Sequence, residues 1–367
     1  MRQVRRAPDF LLFITVLVLL SIGLVMILSA SEYSTMVYYG DSFYFFKRQL
    51  VWALIGLTLM FVTMNIEYWK WQRYAIYLLG LALVLLVVVL IPGIGVESHG
   101  ARRWIGLGPL TFQPSELIKL CLIIFLAFGL ARNRHHIHNF RKGILPFLVF
   151  LAVAAGLILM QPDLGTAVTL AGTVFIMLFV AGARLSTMVG LGITGLGLVA
   201  AAIVMAPYRM QRFLAFLDPW KDPQDTGFHI IQSLYALGSG GLFGVGLGQG
   251  KQKYLYLPEQ HTDFIFAVIG EELGFIGASF VMLLFIFLIW RGLRIAVMAP
   301  DPFASLLATG ITSGIGLQSI INIGVVTGSM PVTGITLPFI SFGGTSLIFT
   351  LIGVGILLNI SRYSVGK

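Results

Sequence analysis

The sequence predicts an all-α polytopic membrane protein: ten transmembrane helices, both termini cytoplasmic, and a large extracellular loop between helices seven and eight. Three observations predict it. First, 57% of the 367 residues are hydrophobic and 11% are charged, whereas soluble domains average about 25% charged; membrane integration is the class that fits. Second, ten stretches are apolar over about the 20 residues that a bilayer-crossing helix needs. Third, lysine and arginine concentrate in alternate loops, which the positive-inside rule reads as cytoplasmic.

The first segment, 10–29, follows MRQVRRAPDF. Its apolar run exceeds the roughly 7–15 residues of a signal-peptide core. LSAS at 28–31 has the form of a cleavage site, but a run of this length spans a bilayer and is read as a helix. Segments two to seven are 49–65, 74–91, 114–131, 144–160, 164–182 and 187–206. QPDLG alone separates the fifth from the sixth, and GARLS the sixth from the seventh. Segments eight to ten are 264–290, 303–327 and 343–360.

An even count places both termini on one side. That side holds Arg2, Arg5, Arg6, Lys70, Arg73, Arg132, Arg134, Arg141, Lys142, Arg184, Arg291, Arg294, Arg362 and Lys367, against Asp9, Glu67 and Asp301. It is therefore the cytoplasmic side. The formal net charge of +9 reflects topology and is no nucleic-acid footprint. His135, His136 and His138 in RNRHHIHNFRK could suggest metal binding; a basic loop facing anionic lipid accounts for them. The single cysteine, Cys121, allows no internal disulfide. The outer loops are 30–48, 92–113 and 207–263. The last is too long and too varied in composition for a linker, and is expected to fold back on the membrane through short amphipathic segments such as FHIIQSLYALG. The whole chain, 1–367, reads as a single membrane domain.

Charges within or beside the spans carry the functional information, because a charged side chain at mid-bilayer costs at least ~2.5–3.5 kcal/mol. Glu116 and Lys119 in QPSELIKL are three apart and share a helical face. They form either a self-neutralising pair or a cation for an anionic group, positioned by its carboxylate. Arg48 in KRQL is either an interfacial anchor or a ligand. Asp163 in QPDLGT is read as the cap of the sixth helix, since Pro162 cannot continue the fifth.

GSGGLFGVGLGQGKQKY at 238–254 is not a nucleotide-binding loop: Val245 stands where Walker A needs glycine, and Gln252 replaces Ser or Thr. Its glycines let backbone approach something closely. Lys251 and Lys253 would suit a phosphate-rich headgroup, with a plain flexible turn as the alternative.

Glu259, Asp263 and Glu271 stand at steps of four and eight, so a helix would bring them near one face. Asp263 lies at the outer mouth of the eighth helix, as a cap, an interfacial charge or a group that meets substrate. Glu271 and Glu272 are about two turns deeper and need cationic partners from neighbouring helices. The sum is an outward-facing polar cavity suited to a lipid-linked anion.

At these residues the chain resembles the SEDS family (shape, elongation, division and sporulation), whose members include FtsW, RodA and SpoVE. The resemblance covers the whole chain. It is carried by KRQL at 47–50, RRWIGLG at 102–108, QPSELIKL at 113–120, QPDLGT at 161–166, DPW at 218–220, GFHIIQSLYALGSGGLFGVGLGQGKQK at 227–253, LPEQHTDFIFAVIGEELGF at 257–275 and PVTGITLPFISFGGTSL at 331–347. NIGVVTGSMPVTGITLPF at 322–339 looks more like the FtsW/SpoVE branch than RodA.

The resemblance implies a peptidoglycan glycosyltransferase of the bacterial cytoplasmic membrane, polymerising lipid II at its outer face. It also implies a class B penicillin-binding protein as partner, alongside other division or sporulation membrane proteins. The family's essential outer aspartate maps to Asp263, which would serve as general base. Arg48, Lys119, Lys251 and Lys253 become candidates for stabilising the departing pyrophosphate, with Glu116, Glu271 and Glu272 orienting them. A divalent cation such as Mg2+ could share that work, although no metal cluster is written in the sequence. The alternatives are a lipid II flippase and a scaffold that recruits the penicillin-binding protein.

Overall fold

The computed structural model describes residues 6–98, 101–107, 110–254 and 256–364. Arg2, Arg5, Lys367 and the Gly108 of RRWIGLG lie outside the described residues. The bundle is built from α1 (Phe10–Tyr39), α2 (Tyr44–Asn65), α3 (Lys70–Val88), α4 (Pro114–Arg132), α5 (Leu145–Leu159), α6 (Leu164–Val180), α7 (Leu185–Val204), α10 (Ile265–Val297), α11 (Pro302–Val326) and α12 (Gly344–Ser361). These match the ten expected spans. Among the described residues nine helices are long and apolar enough to cross a membrane, and α6 is a shorter tenth of 17 residues.

The helix ends follow local chemistry. Asp9 caps α1 through Leu12 N at 2.9 Å. The helix runs past residue 29 to Tyr39 because no breaker intervenes before Gly40, which closes it at φ 69°. Asp301 caps α11 through Ala304 N at 3.0 Å, with Pro302 at the first helical position. At this end of the bundle the two described chain ends meet: Arg6 N donates to Arg362 O at 3.0 Å, and Asp9 N to Ser361 Oγ at 2.9 Å. Arg291 pairs with the Asp9 carboxylate.

Two features depart from the sequence reading. Residues 92–113, expected as a loop, carry a three-stranded antiparallel sheet of β1 (Gly95–Ser98), β2 (Ala101–Leu107) and β3 (Leu110–Phe112). β1 and β3 have only four and three residues, and the seven of β2, ARRWIGL, do not alternate apolar with polar. The long outer segment holds two further helices, α8 (Pro207–Leu217) and α9 (Phe228–Gly240).

Helices α4 and α11 form the centre of the bundle. At the rim, Met188 is the buried residue of α7, so the rest of that helix faces outward. α2 and α12 approach through small residues, as membrane helices do. A Cβ on Gly355 would sit 2.0 Å from Thr63 Oγ1. Asn359 completes the seam by donating to Met64 O and accepting from Tyr68 N.

α10 is broken at Gly274 (φ 68°, ψ −170°). In an unbroken helix Phe275 N and Ile276 N would donate to the carbonyls of Glu271 and Glu272. Here those carbonyls accept from Val245 N (3.0 Å) and Gly246 N (3.1 Å), while Phe275 N and Ile276 N donate to Gly241 O (2.8 Å) and Leu242 O (3.2 Å). The glycine-rich stretch is thus a backbone patch that fills the gap in a helix, and this is what its glycines approach. All four orphaned groups are satisfied, as they must be where backbone is withdrawn from water.

Gly244 adopts φ +81°, and a Cβ there would lie 2.1 Å from Glu272 O. The conformation alone costs alanine about 1–3 kcal/mol. Gly244→Ala is therefore expected to lower the melting temperature of the detergent-solubilised protein by several degrees. Gly238→Ala, with open space around it, is expected to leave it unchanged. Equal melting of both variants and wild type would remove the structural role from the patch.

Candidate functional site

The chain from Tyr256 to Phe264 makes turns rather than helix, and α10 begins only at Ile265. Glu259 and Asp263 therefore do not share a helical face with Glu271, contrary to the spacing argument. Glu259 takes φ +50° in this turn, a conformation rare for a residue with a side chain. Nor does Asp263 cap α10: the cap position is Phe264, with no side-chain hydrogen bond.

What holds Asp263 is its backbone. Asn322 of α11 donates to Asp263 O (2.8 Å) and to Ile335 O (2.7 Å). The two residues before it are held the same way: Ser341 Oγ donates to Thr262 O at 2.6 Å and Phe342 N to His261 O at 2.9 Å. The carboxylate itself accepts no hydrogen bond from any described residue and is half-buried. Gly334, at φ +72°, stands beside it: a Cβ there would be in ordinary contact, 3.6 Å from Asp263 Oδ2.

Four charged groups face this carboxylate. Burial raises its pKa, and the negative charge of Glu259 adds to that; Arg212 opposes it, Asp163 raises it further and Arg103 lowers it, for a value of about 7. Asp163 is the cap that the sequence suggested, with Oδ1 accepting from Thr166 N (2.9 Å) and Oδ2 from Thr166 Oγ1 (2.8 Å). Arg103 of β2 braces the same turn by donating to Gln161 O (2.8 Å) and Pro162 O (2.6 Å). Two imidazoles flank the site. His261 stacks on Phe45 at 4.3 Å and His229 on Phe264 at 5.8 Å. Burial holds both below the usual histidine range.

Glu116 on the first turn of α4 and Lys119 on the second pair at 2.9 Å. Lys119 Nζ also donates to Gln318 Oε1 at 2.8 Å. They line a cavity of about 60 Å3 with Thr169, Thr173, Gln318 and Phe349, room for a few water molecules. Gln318 Nε2 in turn donates to Thr336 O at 3.0 Å. One face of α11, Gln318 and Asn322, therefore ties the cavity and Asp263 to the same stretch, 331–337.

The remaining candidates lie elsewhere. Arg48 NH1 donates to Tyr44 OH at 2.9 Å, with its guanidinium 5.4 Å from that ring. Lys253, expected to meet a headgroup, is instead 2% exposed. Its ammonium pairs with Glu272 (3.1 Å) and donates to Ser29 Oγ (3.2 Å). Glu272 also accepts from Ser29 Oγ (2.7 Å) and Gly248 N (3.1 Å). Glu271 has no cation partner among the described residues and accepts from Lys251 N (2.7 Å) and Gln252 N (3.3 Å). Both glutamates thus hold the glycine-rich patch, not a cation from a neighbouring helix. Lys251 keeps an exposed side chain. Among the described residues no group of three or more His, Cys, Asp or Glu could hold a metal ion.

The sequence reading missed Arg103 and Arg212 as neighbours of Asp263. Arg103 was visible inside RRWIGLG; Arg212 sits in α8 with no spacing that points to the site.

Comparison with known proteins agrees with the resemblance. The family model described as cell cycle protein, FTSW_RODA_SPOVE, matches residues 9–365. Stage V sporulation protein E of Bacillus subtilis (strain 168) is 52% identical over 360 residues, 98% of this chain and 98% of that one. A probable peptidoglycan glycosyltransferase FtsW of Geobacter sulfurreducens (strain DL-1 / KN400) is 48% identical over 353 residues, covering 96% and 95%. Among solved structures, a chain from a peptidoglycan synthase complex, described for its structural coordination of polymerization and crosslinking, superposes with a TM-score of 0.81 at 35% identity over 97% of this chain and 98% of its own. The rod shape determining protein RodA of Thermus thermophilus superposes with a TM-score of 0.74 at 32% identity, over 98% and 99%.

Proposed function

The chain belongs to the FtsW/RodA/SpoVE family of cell cycle proteins, and on that premise we propose that it is a peptidoglycan glycosyltransferase that polymerises lipid II at the outer face of the bacterial cytoplasmic membrane. The observation that carries this reading is the Asp263 carboxylate. It is held by its backbone, engaged by no described hydrogen-bond donor, and poised at about 7. A general base works best when its pKa lies near the operating pH.

The donor is an α-linked glycosyl pyrophosphate and the product is β-1,4-linked, so one in-line displacement inverts the sugar carbon. Asp263 takes the proton of the acceptor 4-hydroxyl as that oxygen bonds to the donor carbon. The carbon–oxygen bond to the pyrophosphate breaks, and the leaving group departs with the electron pair. Positive charge near the leaving group supplies a large share of the catalysis. Lys119, Arg48 and Lys251 remain candidates for this; Lys253 acts on the fold, through Glu272.

The second reading, a lipid II flippase, would draw on the Glu116–Lys119 pair at the cavity and make no demand on the Asp263 carboxylate, so the engagement of that carboxylate in turnover separates the two. The partner is a class B penicillin-binding protein that crosslinks the new strand, as the complex of polymerization and crosslinking formed by a structural relative suggests.

The test is polymerisation of purified lipid II in detergent, with the matching penicillin-binding protein present, across pH. The base must be deprotonated. The rate is expected to fall about tenfold per unit below pH 7 and to level off above it, following the value of about 7. A rate independent of pH between 5 and 8 would remove Asp263 as the base. No polymer at any pH, from a preparation that binds its partner, would overturn the enzyme reading.

A further inference from the structure

Beside Asp263 lies a second pocket, of about 50 Å3, lined by Pro162 and Leu164 from the start of α6, Ile203 of α7, Arg209 and Arg212 of α8, and Thr333. We propose that this pocket is the pyrophosphate subsite for the lipid-linked donor, with Arg212 as its cation and the Thr333 hydroxyl as a second donor. The proposal rests on the glycosyltransferase reading and adds residues that the sequence did not single out.

Three observations carry it. The first is a division of labour between the two arginines of α8. Arg209 is fully engaged: it donates to Tyr208 OH (2.7 Å), Ala202 O (3.0 Å) and Leu159 O (3.5 Å), pinning α8 to the ends of α5 and α7. Arg212, one turn further on, makes no ion pair or hydrogen bond with any described residue and is exposed. The helix is held by one arginine and offers the other.

The second is Thr333, on the opposite wall, whose Oγ1 is buried without a hydrogen-bond partner among the described residues. A buried polar atom left unpaired costs free energy unless something supplies the missing bond. A phosphate oxygen, which accepts, would do so.

The third is proximity to the base. The residue after Thr333 is Gly334, which stands against Asp263 Oδ2. The residue after Pro162 is Asp163, and Arg212 and Asp163 are both among the charges that act on Asp263. Arg212 is close enough to act on the charge of Asp263, so a pyrophosphate held there stands near the carboxylate. Base on one side and leaving-group cation on the other is the arrangement an in-line displacement needs. Apart from Tyr208, the remaining lining, Phe213, Pro331 and Val332, is apolar. It suits a phosphate attached to a hydrocarbon chain rather than a soluble one.

An exposed arginine on a helix at the membrane surface could equally anchor phospholipid headgroups. The experiment separates the two sources of phosphate. The full chain, in phosphatidylcholine nanodiscs, is titrated with undecaprenyl pyrophosphate, undecaprenyl monophosphate and phosphatidylglycerol. Arg212→Gln is expected to weaken undecaprenyl pyrophosphate binding about tenfold or more, the scale of a lost charge-assisted hydrogen bond, with an unchanged melting temperature. Phosphatidylglycerol binding is expected to stay as in wild type. Thr333→Val is expected to weaken the same ligand less.

In the polymerisation assay Arg212→Gln is expected to raise KM for lipid II and to move the acidic limb of the pH profile upward, because a positive charge facing Asp263 is lost while Glu259, Asp163 and Arg103 remain. Arg212→Lys is expected to restore the limb without full affinity, since an ammonium lacks the guanidinium fork. Unchanged pyrophosphate affinity in Arg212→Gln overturns the proposal, as does an equal loss for phosphatidylglycerol. Should wild type bind undecaprenyl pyrophosphate through Arg212 yet make no polymer, the glycosyltransferase reading falls and the subsite stands.

Discussion

Asp263→Asn is expected to eliminate glycan polymerisation while leaving the protein at least as stable as wild type. Asparagine keeps the shape and the backbone bond from Asn322 to residue 263, so the fold has no reason to change. It cannot accept the acceptor hydroxyl proton, and loss of a general base costs about 10²–10⁴ in rate. The stability prediction follows from the direction of the carboxylate's shift. The folded state raises Asp263 from 3.8 to about 7. Between those values the folded chain binds more proton than the unfolded one, so stability falls as pH rises through that window. Asparagine has no such dependence. Its melting temperature is expected to match or exceed wild type, with the margin larger at pH 8 than at pH 5. Wild-type polymer yield from the variant ends the assignment of Asp263 as base. A melting temperature lower than wild type at both pH values shows that the carboxylate is structural after all.

Lys253→Met is expected to have the largest effect on stability of any single side-chain replacement around the glycine-rich patch. Lys253 is the cation of a pair whose two side chains are 2% and 0% exposed. Removing it leaves Glu272 buried with only Ser29 Oγ and Gly248 N as partners. Breaking a buried pair from one side costs about 3–5 kcal/mol, because the remaining charge is uncompensated. Adding Glu272→Gln to Lys253→Met removes that charge, and the double variant is expected to recover most of the loss. Thermal melting of the three variants beside wild type checks this. A single variant that melts with wild type, or a double variant less stable than the single, contradicts the pairing.

The ten spans were legible because hydropathy over about 20 residues is a property of composition, and Asp163 was legible as a cap because capping is local. Asp263 was found through the motif around it. Its spacing to Glu259 and Glu271 misled, since the face argument presumed a helix that starts only at Ile265. Arg212 was hidden for another reason: residues 163, 212, 263 and 333 meet only when four separate parts of the chain fold together, and no periodicity encodes that. The role of the glycine-rich stretch was half legible. Its glycines announced close approach, but a partner that is itself backbone leaves no side-chain signature, so the lysines beside it drew an electrostatic reading that Lys253 does not support.

The patched break in α10 bears on how the protein reaches the membrane. Thirty-three residues of helix extend about 50 Å, against roughly 30 Å of hydrocarbon, and the break falls about ten residues in from the start. Phe275 and Ile276 beside it are exposed, apolar side chains that suit a hydrocarbon surrounding. Until residues 241–246 are seated, two amides and two carbonyls stand open there, each costing several kcal/mol. The ribosome delivers the patch before it delivers the break, so the partners already exist when the gap emerges from the translocon. The patch at 241–246 and the break at Gly274 therefore complete one another, and a nascent chain whose patch is misplaced presents membrane quality control with an unfinished helix.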